Sequence, residues 1–265
     1  EISECLVGSE MCIRDRMNAN PFSLAGKRVL VTGASSGIGR AAAIECARAG
    51  AELLITGRDE ERLLATLQAL DGGPHRAVAA DLTDPEGIER LVDEARGLDG
   101  VVHSAGIACN RPFPFVGRKV LDGVMEINFY APAELTRRLL RASAVGRGAS
   151  LVFVSSVAGL GCSAPGESAY AASKGAVSAL ARGMAIDLAP KGIRVNCVCP
   201  GVVETALFDA GTVTSEQLEA RRRAYPLRRF GRPEEIAWAI VYLLSDASAW
   251  MTGTDLKIDG GLTLI

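Results

Sequence analysis

The sequence predicts an α/β protein with one open, doubly wound and mostly parallel sheet of seven strands, helices on both faces and a single domain. Three observations lead to this prediction. Short apolar segments alternate with longer amphipathic segments along the chain. The short segments are almost continuously apolar, as parallel strands covered on both faces must be. No linker, repeat or low-complexity segment interrupts the pattern.

The elements follow one another in strict alternation. Gly50 ends the first helix and Pro190 ends the fifth, because glycine suits the position after a helix and proline cannot continue one. The loops after the fourth, fifth and sixth strands are the longest, and ligands bind at that edge of such sheets. Strands are predicted at residues 27–31, 52–56, 76–80, 100–103, 150–155, 193–198 and 256–258. Helices are predicted at residues 38–49, 59–70, 85–96, 118–144, 168–189 and 233–244.

Residues 1–16 (EISECLVGSEMCIRDR) do not continue this pattern. They show neither helical nor strand periodicity, and they lack the apolar core of a signal peptide. They resemble translated sequencing-adapter read-through, so Met17 is predicted to be the native start and 17–265 the single domain. A disordered native tail is the alternative interpretation.

Composition narrows the class of protein. Hydrophobic residues make up 48% of the chain, enough for a sizeable core, and the formal charge is -2. This balance indicates neither a nucleic acid nor a membrane as a partner, and no apolar run approaches the roughly 18 residues that cross a bilayer. The seven cysteines form no CxxC pair and only His75 and His103 accompany them, so no metal site is predicted. Reduced core thiols fit a cytoplasmic protein.

A glycine-rich loop, TGASSGIG at 32–39, joins the first strand to the first helix. Gly33 permits a tight turn, Gly37 lets the backbone approach a pyrophosphate, and Gly39 lets the helix pack on the strand. The free N–H groups of the helix start also favour a phosphate. An ordinary turn is the alternative, but the strand–loop–helix context favours dinucleotide binding. The predicted binding residues in this loop are Gly33, Ser35, Ser36, Gly37, Ile38 and Gly39.

The end of the second strand indicates which dinucleotide is bound. An acidic residue there would bind the adenosine ribose and repel a 2′-phosphate, but Gly57 takes that place and Arg58 follows it. NADP(H) is therefore the preferred cofactor, with NAD(H) as the alternative. Arg58 could instead be a solvated residue at a helix start. Asp81 and Leu82 follow the third strand and are predicted to meet the adenine.

Three residues suggest the chemistry. Tyr170 and Lys174 share a helix face at i and i+4, and Ser156 ends the fifth strand at the same edge of the sheet. Hydride reduction of a ketone leaves an alkoxide that must be protonated, and a phenol of pKa about 10 does this poorly unless its pKa falls. Lys174 is predicted to lower that pKa and Ser156 to hold the substrate oxygen. A surface tyrosine–lysine pair is the alternative. The set predicts a nicotinamide-dependent carbonyl/alcohol oxidoreductase.

From about residue 24 to residue 262 the chain resembles the short-chain dehydrogenase/reductase family. The resemblance implies that Tyr170 is the general acid in reduction and that Lys174 also holds the nicotinamide ribose. It implies that Asn128 keeps a helix kink and a water that relays protons to Lys174. It also implies a homo-oligomer, a tetramer or a dimer, joined through the long helices and the C-terminal segment. The resemblance implies cofactor contacts at Ser104, Ala105, Gly106, Pro200, Gly201, Val203 and Thr205. The motifs that carry the resemblance are TGASSGIG, Asp81-Leu82, residues 103–106, Asn128, the set of Ser156, Tyr170 and Lys174, Pro200-Gly201 and residues 258–261.

Three features depart from the family pattern. Ser104 stands where the family usually has asparagine. The spacing from Ser156 to Tyr170 is one residue longer than the commonest one, which predicts a larger loop at 162–166. Ser36 stands where many NADP-dependent members have a basic residue, so the NADP(H) prediction depends on Arg58 almost alone.

The substrate pocket is expected from segments 107–116, 157–167 and 202–223. An apolar pocket suits a hydrophobic ketone, an alicyclic alcohol or an acyl chain. Alternatively these apolar side chains only pack a lid, which is predicted to be mobile at 207–220. The predicted pocket residues are Phe113, Leu160, Cys162, Leu207 and Phe208.

Two narrower interpretations stay open. A 3-oxoacyl-(acyl-carrier-protein) reductase should have basic residues beside the site; Arg147 is suitably placed, but Ile186 occupies the position expected for a second one. A non-catalytic NADP(H)-sensing regulatory protein on the same fold would typically have lost the tyrosine or the lysine, and this chain keeps both.

Overall fold

The computed structural model describes residues 20–205 and 215–265. Within these residues seven strands form one sheet in the order β3-β2-β1-β4-β5-β6-β7, and every neighbouring pair is parallel. The predicted α/β fold is confirmed, and the sheet expected to be mostly parallel is parallel throughout. The strands are β1 (Arg28–Thr32), β2 (Glu52–Gly57), β3 (Arg76–Ala79), β4 (Leu98–His103), β5 (Val145–Val154), β6 (Arg194–Pro200) and β7 (Asp255–Ile258).

Helices cover both faces of this sheet. Leu63 of α2 and Ile240 of α8 belong to one buried cluster, together with the alanine-rich face of α1. Leu91 of α3, Leu135 of α5 and Val177 of α6 belong to the cluster on the other face. The helices are α1 (Gly37–Arg48), α2 (Glu60–Gln68), α3 (Pro85–Glu94), α4 (Arg118–Met125), α5 (Ala131–Arg141), α6 (Ser168–Leu188), α7 (Ser215–Ala224) and α8 (Pro233–Leu244).

The single long helix expected at 118–144 is the main difference from the prediction. A five-residue π-helical turn, Glu126–Tyr130, separates α4 from α5. The helix ends at Arg141, because Ser143 adopts a left-handed backbone conformation with φ of 55°. Strand β5 then begins at Val145, five residues before the predicted start, and pairs with Leu98 across an irregular register.

The strand order places the site. The chain runs from β1 outward to β2 and β3, and then returns to β4 on the other side of β1. The loops after β1 and β4 therefore leave the sheet in opposite directions, and a crevice forms between them at the carboxyl ends of the strands.

The structure describes neither the N-terminal segment nor part of the predicted substrate pocket. The segment 1–16, Leu207 and Phe208 lie outside the described residues. No helix in the described part of the chain combines the length and apolarity needed to cross a membrane. The same residues hold no group of three or more His, Cys, Asp or Glu side chains arranged to bind a metal.

Candidate active site

A cavity of about 730 Å³ lies at the carboxyl ends of the strands. The glycine loop forms one end, and Ser156, Tyr170 and Lys174 form part of the other. The structure thus brings together every residue predicted to bind the cofactor. These wall residues are Gly33, Ser35, Ser36, Gly37, Ile38, Gly39, Arg58, Asp81, Leu82, Ser104, Ala105, Gly106, Tyr170, Lys174, Pro200, Gly201, Val203 and Thr205.

The glycine loop is shaped by close backbone contacts. A Cβ on Gly33, which has φ of +66°, would lie 2.7 Å from the amide nitrogen of Ala105. A Cβ on Gly39 would overlap the carbonyl oxygen of Gly33. Ser36 provides no side-chain cap for α1, and the first turn has no acidic residue. The loop therefore offers an uncapped helix start in a cradle that side chains would fill, which fits a pyrophosphate.

The end of β2 also fits a phosphorylated ribose. Arg58 is exposed on the cavity wall and forms no ion pair among the described residues, whereas its neighbour Arg62 pairs with Asp59 at 3.4 Å. A Cβ on Gly57 would lie 3.0 Å from the hydroxyl of Ser35, so a larger residue here would have to displace the Ser35 side chain. Hydrogen bonds from Thr83 hold the pKa of Asp81 below its usual range, and the charge of Arg58 adds to this effect against the opposing effect of burial.

The side chains of Ser156 and Tyr170 both line the cavity, close enough for Ser156 to act on the pKa of Tyr170. Ser156 is buried at the end of β5, where its Oγ accepts from the N–H of Ala158 at 3.2 Å. Burial raises the pKa of Tyr170, the hydroxyl of Ser156 opposes that rise, and the charge of Glu167 adds to it. Burial of the phenol therefore outweighs the effect of Ser156. The predicted lowering of this pKa by Lys174 stays a prediction, since Lys174 is not among the groups that shift it here.

Lys174 lies one helical turn after Tyr170, with its Nζ 5.8 Å from the centre of the tyrosine ring. The side chain is buried, and Nζ donates to the carbonyl of Val154 at 2.7 Å. Burial lowers the pKa of Lys174 to about 8. A cation so close to a phenol can stabilise the phenolate when the proton leaves.

Asn128 lies in the π-helical turn, where a kink was expected, and does not line the cavity. Its amide accepts from Ile107 N at 2.8 Å and donates to Ile107 O at 3.0 Å and to Ser173 Oγ at 3.0 Å. Ser173 in turn donates to the carbonyl of Tyr170 at 2.7 Å. Asn128 therefore connects the loop after β4 to the helix that carries Tyr170.

Sequence reasoning missed three supporting hydroxyls. Thr32 Oγ1 accepts from the amides of Ser104 at 3.1 Å and Ala105 at 3.2 Å, and so ties β1 to the loop after β4. Ser155 donates to the carbonyl of Lys174 at 2.9 Å, and Ser173 acts as described above. The only signal in the sequence is their position beside predicted site residues.

Of the predicted substrate residues, Phe113, Leu160 and Cys162 lie in the described part of the chain, and none of these three lines the cavity. Phe113 is 69% exposed on a short 3-10 turn, and Leu160 and Cys162 are partly exposed outside the wall. The physical reason is that their two loops pair with each other, Arg111 N donating to Gly166 O at 2.8 Å. Ile107, Ala108 and Ile127 are among the apolar side chains that line the cavity instead.

A crevice of this kind, at the point where the strand order reverses, is the dinucleotide site of doubly wound α/β enzymes. Comparison with known proteins agrees with this class. The family model described as enoyl-(acyl carrier protein) reductase matches residues 33–263. Glucose 1-dehydrogenase of Gluconobacter oxydans is 36% identical over 247 residues, which cover 91% of this chain and 93% of that protein.

Two further comparisons extend the match. The 3-oxoacyl-(acyl-carrier-protein) reductase FabG of Thermotoga maritima is 34% identical over 247 residues, covering 91% of this chain and 99% of that protein. A crystal structure from Agrobacterium tumefaciens with bound NADP has a TM-score of 0.84 at 31% identity, covering 93% of this chain and 100% of that chain. The chain belongs to the short-chain dehydrogenase/reductase family of oxidoreductases.

Proposed function

We propose that this protein is an NADP(H)-dependent reductase or dehydrogenase that interconverts a ketone and a secondary alcohol. The observation that carries the proposal is that Ser156, Tyr170 and the buried Lys174 line one cavity together with the glycine loop. The nicotinamide cofactor, when bound, supplies or accepts the hydride. The protein's own groups bind it, orient the substrate and move the proton.

Tyr170 is the proposed general acid and base. The phenol carries its proton at neutral pH, and its Oη delivers that proton to the oxygen that becomes the alcohol. Ser156 Oγ holds that oxygen while negative charge develops on it. The ammonium of Lys174 stabilises the phenolate that remains. In the oxidative direction the same phenolate takes the proton back.

NADP(H) is the proposed cofactor in preference to NAD(H). Arg58 is exposed beside the cavity without an ion-pair partner among the described residues, so a 2′-phosphate would not have to displace a carboxylate. The bound NADP in the Agrobacterium tumefaciens structure supports this preference. The pyrophosphate would lie at the uncapped start of α1. Thr205, from the loop after β6, lies next to Gly37 at that helix start.

Reduction of a 3-oxoacyl group on acyl carrier protein is the second candidate activity. The Thermotoga maritima relative favours it. Arg147 is exposed and donates to Pro190 O at 3.4 Å, but it lies near the start of β5, at the opposite end of this strand from Ser156, and does not line the cavity. Ile186, where a second basic residue was expected, exposes 76% of an apolar side chain. A ketone or alcohol of small size therefore remains the preferred substrate class.

The test is substitution of Tyr170 by phenylalanine. Tyr170→Phe should reduce carbonyl turnover by at least about 100-fold, because general acid catalysis contributes at least this factor. NADPH absorbance is followed with a panel of ketones, sugar lactols, keto acids and 3-oxoacyl thioesters. Tyr242→Phe is the matched control, because the Tyr242 hydroxyl donates to Met251 Sδ at 3.1 Å and Tyr242 does not line the cavity. Unchanged turnover in Tyr170→Phe would refute the role of the tyrosine.

A homo-oligomer is proposed as the functional form. Ile186 on α6 is 76% exposed and Trp250, before β7, is fully exposed, so both of the regions expected to join subunits present apolar side chains. Burial of these side chains would favour association. A monomer in sedimentation velocity at micromolar concentration would contradict this proposal.

A further inference from the structure

Tyr225 is a buried tyrosine that the proposed chemistry does not use. It directly follows α7 and is 4% exposed. Its ring packs edge-on against Phe230 with the ring centres 5.5 Å apart, and a Cβ on Gly260 would lie 3.3 Å from its Cδ1. The ring position is thus fixed on two sides, and the hydroxyl is held in one direction.

That hydroxyl accepts a hydrogen bond from the amide of Val202 at 3.1 Å. The carbonyl of Val202 accepts from Gly231 N at 3.0 Å, and Glu204 N donates to Gly231 O at 2.8 Å. Val203 and Gly231 form a parallel bridge. Both backbone groups of Val202 are therefore satisfied by the segment that follows α7, and Tyr225 supplies one of the two contacts.

The loop held in this way is part of the cofactor cavity. Gly201, Val203 and Thr205 all line its wall. A Cβ on Gly37 would lie 3.3 Å from Thr205 Cγ2, so the far end of this loop contacts the glycine loop directly. A shift of the Val202 backbone would also move Gly201 and Val203, because they are bonded to it in the short segment between Pro200 and Thr205.

We propose that Tyr225 is a positioning residue for the cofactor: its hydroxyl fixes Val202, and through it the loop 201–205, in the arrangement that receives the nicotinamide half of NADP(H). The proposal rests on the proposed function, because it presumes a nicotinamide dinucleotide in this cavity. Tyr225 itself lies behind the loop, so it acts through the backbone of Val202.

The test is Tyr225→Phe, which keeps the ring and removes only the acceptor. NADPH affinity is measured without substrate, by fluorescence or calorimetry, and should fall roughly 3- to 10-fold, as expected for one lost hydrogen bond. Amide hydrogen exchange of the free protein should become faster at 201–205 and stay unchanged in the central strands. Tyr242→Phe is again the matched control, and its NADPH affinity should equal that of the wild type.

The outcomes separate this proposal from the proposed function. Unchanged NADPH affinity in Tyr225→Phe overturns the positioning role, and so does faster exchange throughout the sheet, which would indicate general destabilisation. A wild-type protein that binds NADPH but reduces no carbonyl overturns the proposed function, and the Tyr225 comparison still decides the present proposal. A wild-type protein that binds neither NADPH nor NADH overturns both.

Discussion

The ammonium of Lys174 donates to the carbonyl oxygen of Val154 at 2.7 Å. Val154 is the last residue of β5, and Ser155, which follows it, donates to the backbone carbonyl of Lys174 at 2.9 Å. Both ends of the lysine are therefore tied to the end of one central strand. This double attachment keeps a buried cation within reach of Tyr170 without a carboxylate partner.

The first prediction concerns the titration of Lys174. Burial disfavours the charged form and lowers the pKa of this ammonium to about 8 from the usual 10.5. In protein labelled with 13C-lysine, one Cε resonance should titrate near pH 8 in the absence of cofactor. Lys174→Met should remove that resonance. A Lys174 resonance that titrates at the ordinary lysine value would show that the ammonium is solvated.

The second prediction concerns Arg58. Arg58→Ala should weaken NADPH binding roughly 10- to 100-fold, because hydrogen bonds to a charged phosphate are lost, and should leave NADH binding nearly unchanged. Dissociation constants of both cofactors decide the point. Arg90→Ala is the control, since Arg90 is an exposed arginine on α3 that does not line the cavity. Equal losses for NADPH and NADH in Arg58→Ala would contradict contact with a 2′-phosphate.

The cofactor side of the cavity was predictable from the sequence because its determinants are local. Gly33 and Gly39 lie next to apolar runs that define β1 and α1, and a turn this tight requires glycine wherever it occurs. Arg58 directly follows β2. Parallel sheet topology then brings these short segments to one edge without any further information.

The substrate side was not predictable in the same way. The outward position of Phe113 depends on the pairing of Arg111 with Gly166, two residues in separate irregular loops. The bond between Val202 and Tyr225 also joins segments without regular periodicity. The π-helical turn at Asn128 is not marked in the sequence, because its five residues, Glu126–Tyr130, include no glycine or proline that would signal a break. Such features depend on tertiary contacts that composition and period do not encode.

The third prediction concerns Gly39. A methyl group there would overlap the carbonyl oxygen of Gly33, which is backbone and cannot turn aside. Gly39→Ala should therefore push α1 away from β1 and weaken binding of both NADPH and NADH by at least about 10-fold, since the phosphate contacts at the helix start depend on that approach. Cofactor titration and thermal unfolding are the measurements.

Gly123 provides the matched control for Gly39. It lies in α4, and no described atom outside its own helix turn comes within 4 Å of the place that a methyl group would take. Gly123→Ala should leave cofactor affinity unchanged and stabilise the protein by about 0.5–1 kcal/mol, because alanine is the better helix former. If Gly39→Ala bound both cofactors as tightly as Gly123→Ala, the close approach of α1 to β1 would not matter for the dinucleotide.

The last prediction concerns His103, which ends β4 and is buried against Phe153 with the ring centres 4.5 Å apart. Thr136 Oγ1 donates its single hydrogen to Pro132 O at 2.7 Å. The same Oγ1 lies 2.8 Å from His103 Nε2, and because its hydrogen is already used it must accept a hydrogen bond from Nε2. The imidazole therefore carries its hydrogen on Nε2. Its Nδ1 is buried without a hydrogen-bond partner in the described part of the chain. Protonation at Nδ1 would bury an unpaired charge.

Burial accordingly lowers the pKa of His103 to about 3 from 6.5. Between pH 6.5 and pH 3, His103 is protonated in the unfolded chain but neutral in the folded protein. The free energy of unfolding therefore decreases as the pH falls below about 6.5, by about 1.4 kcal/mol per pH unit. His103→Gln removes this titration. Between pH 7 and pH 4.5 the wild type should lose about 2.5 kcal/mol more free energy of unfolding than the variant does, measured by urea denaturation at both pH values. At pH 7 the variant should be less stable than the wild type, because at that pH the substitution acts only by losing the packing of the imidazole and its contact with Thr136. Parallel losses in the two proteins would show that the folded state accepts the proton on His103 after all.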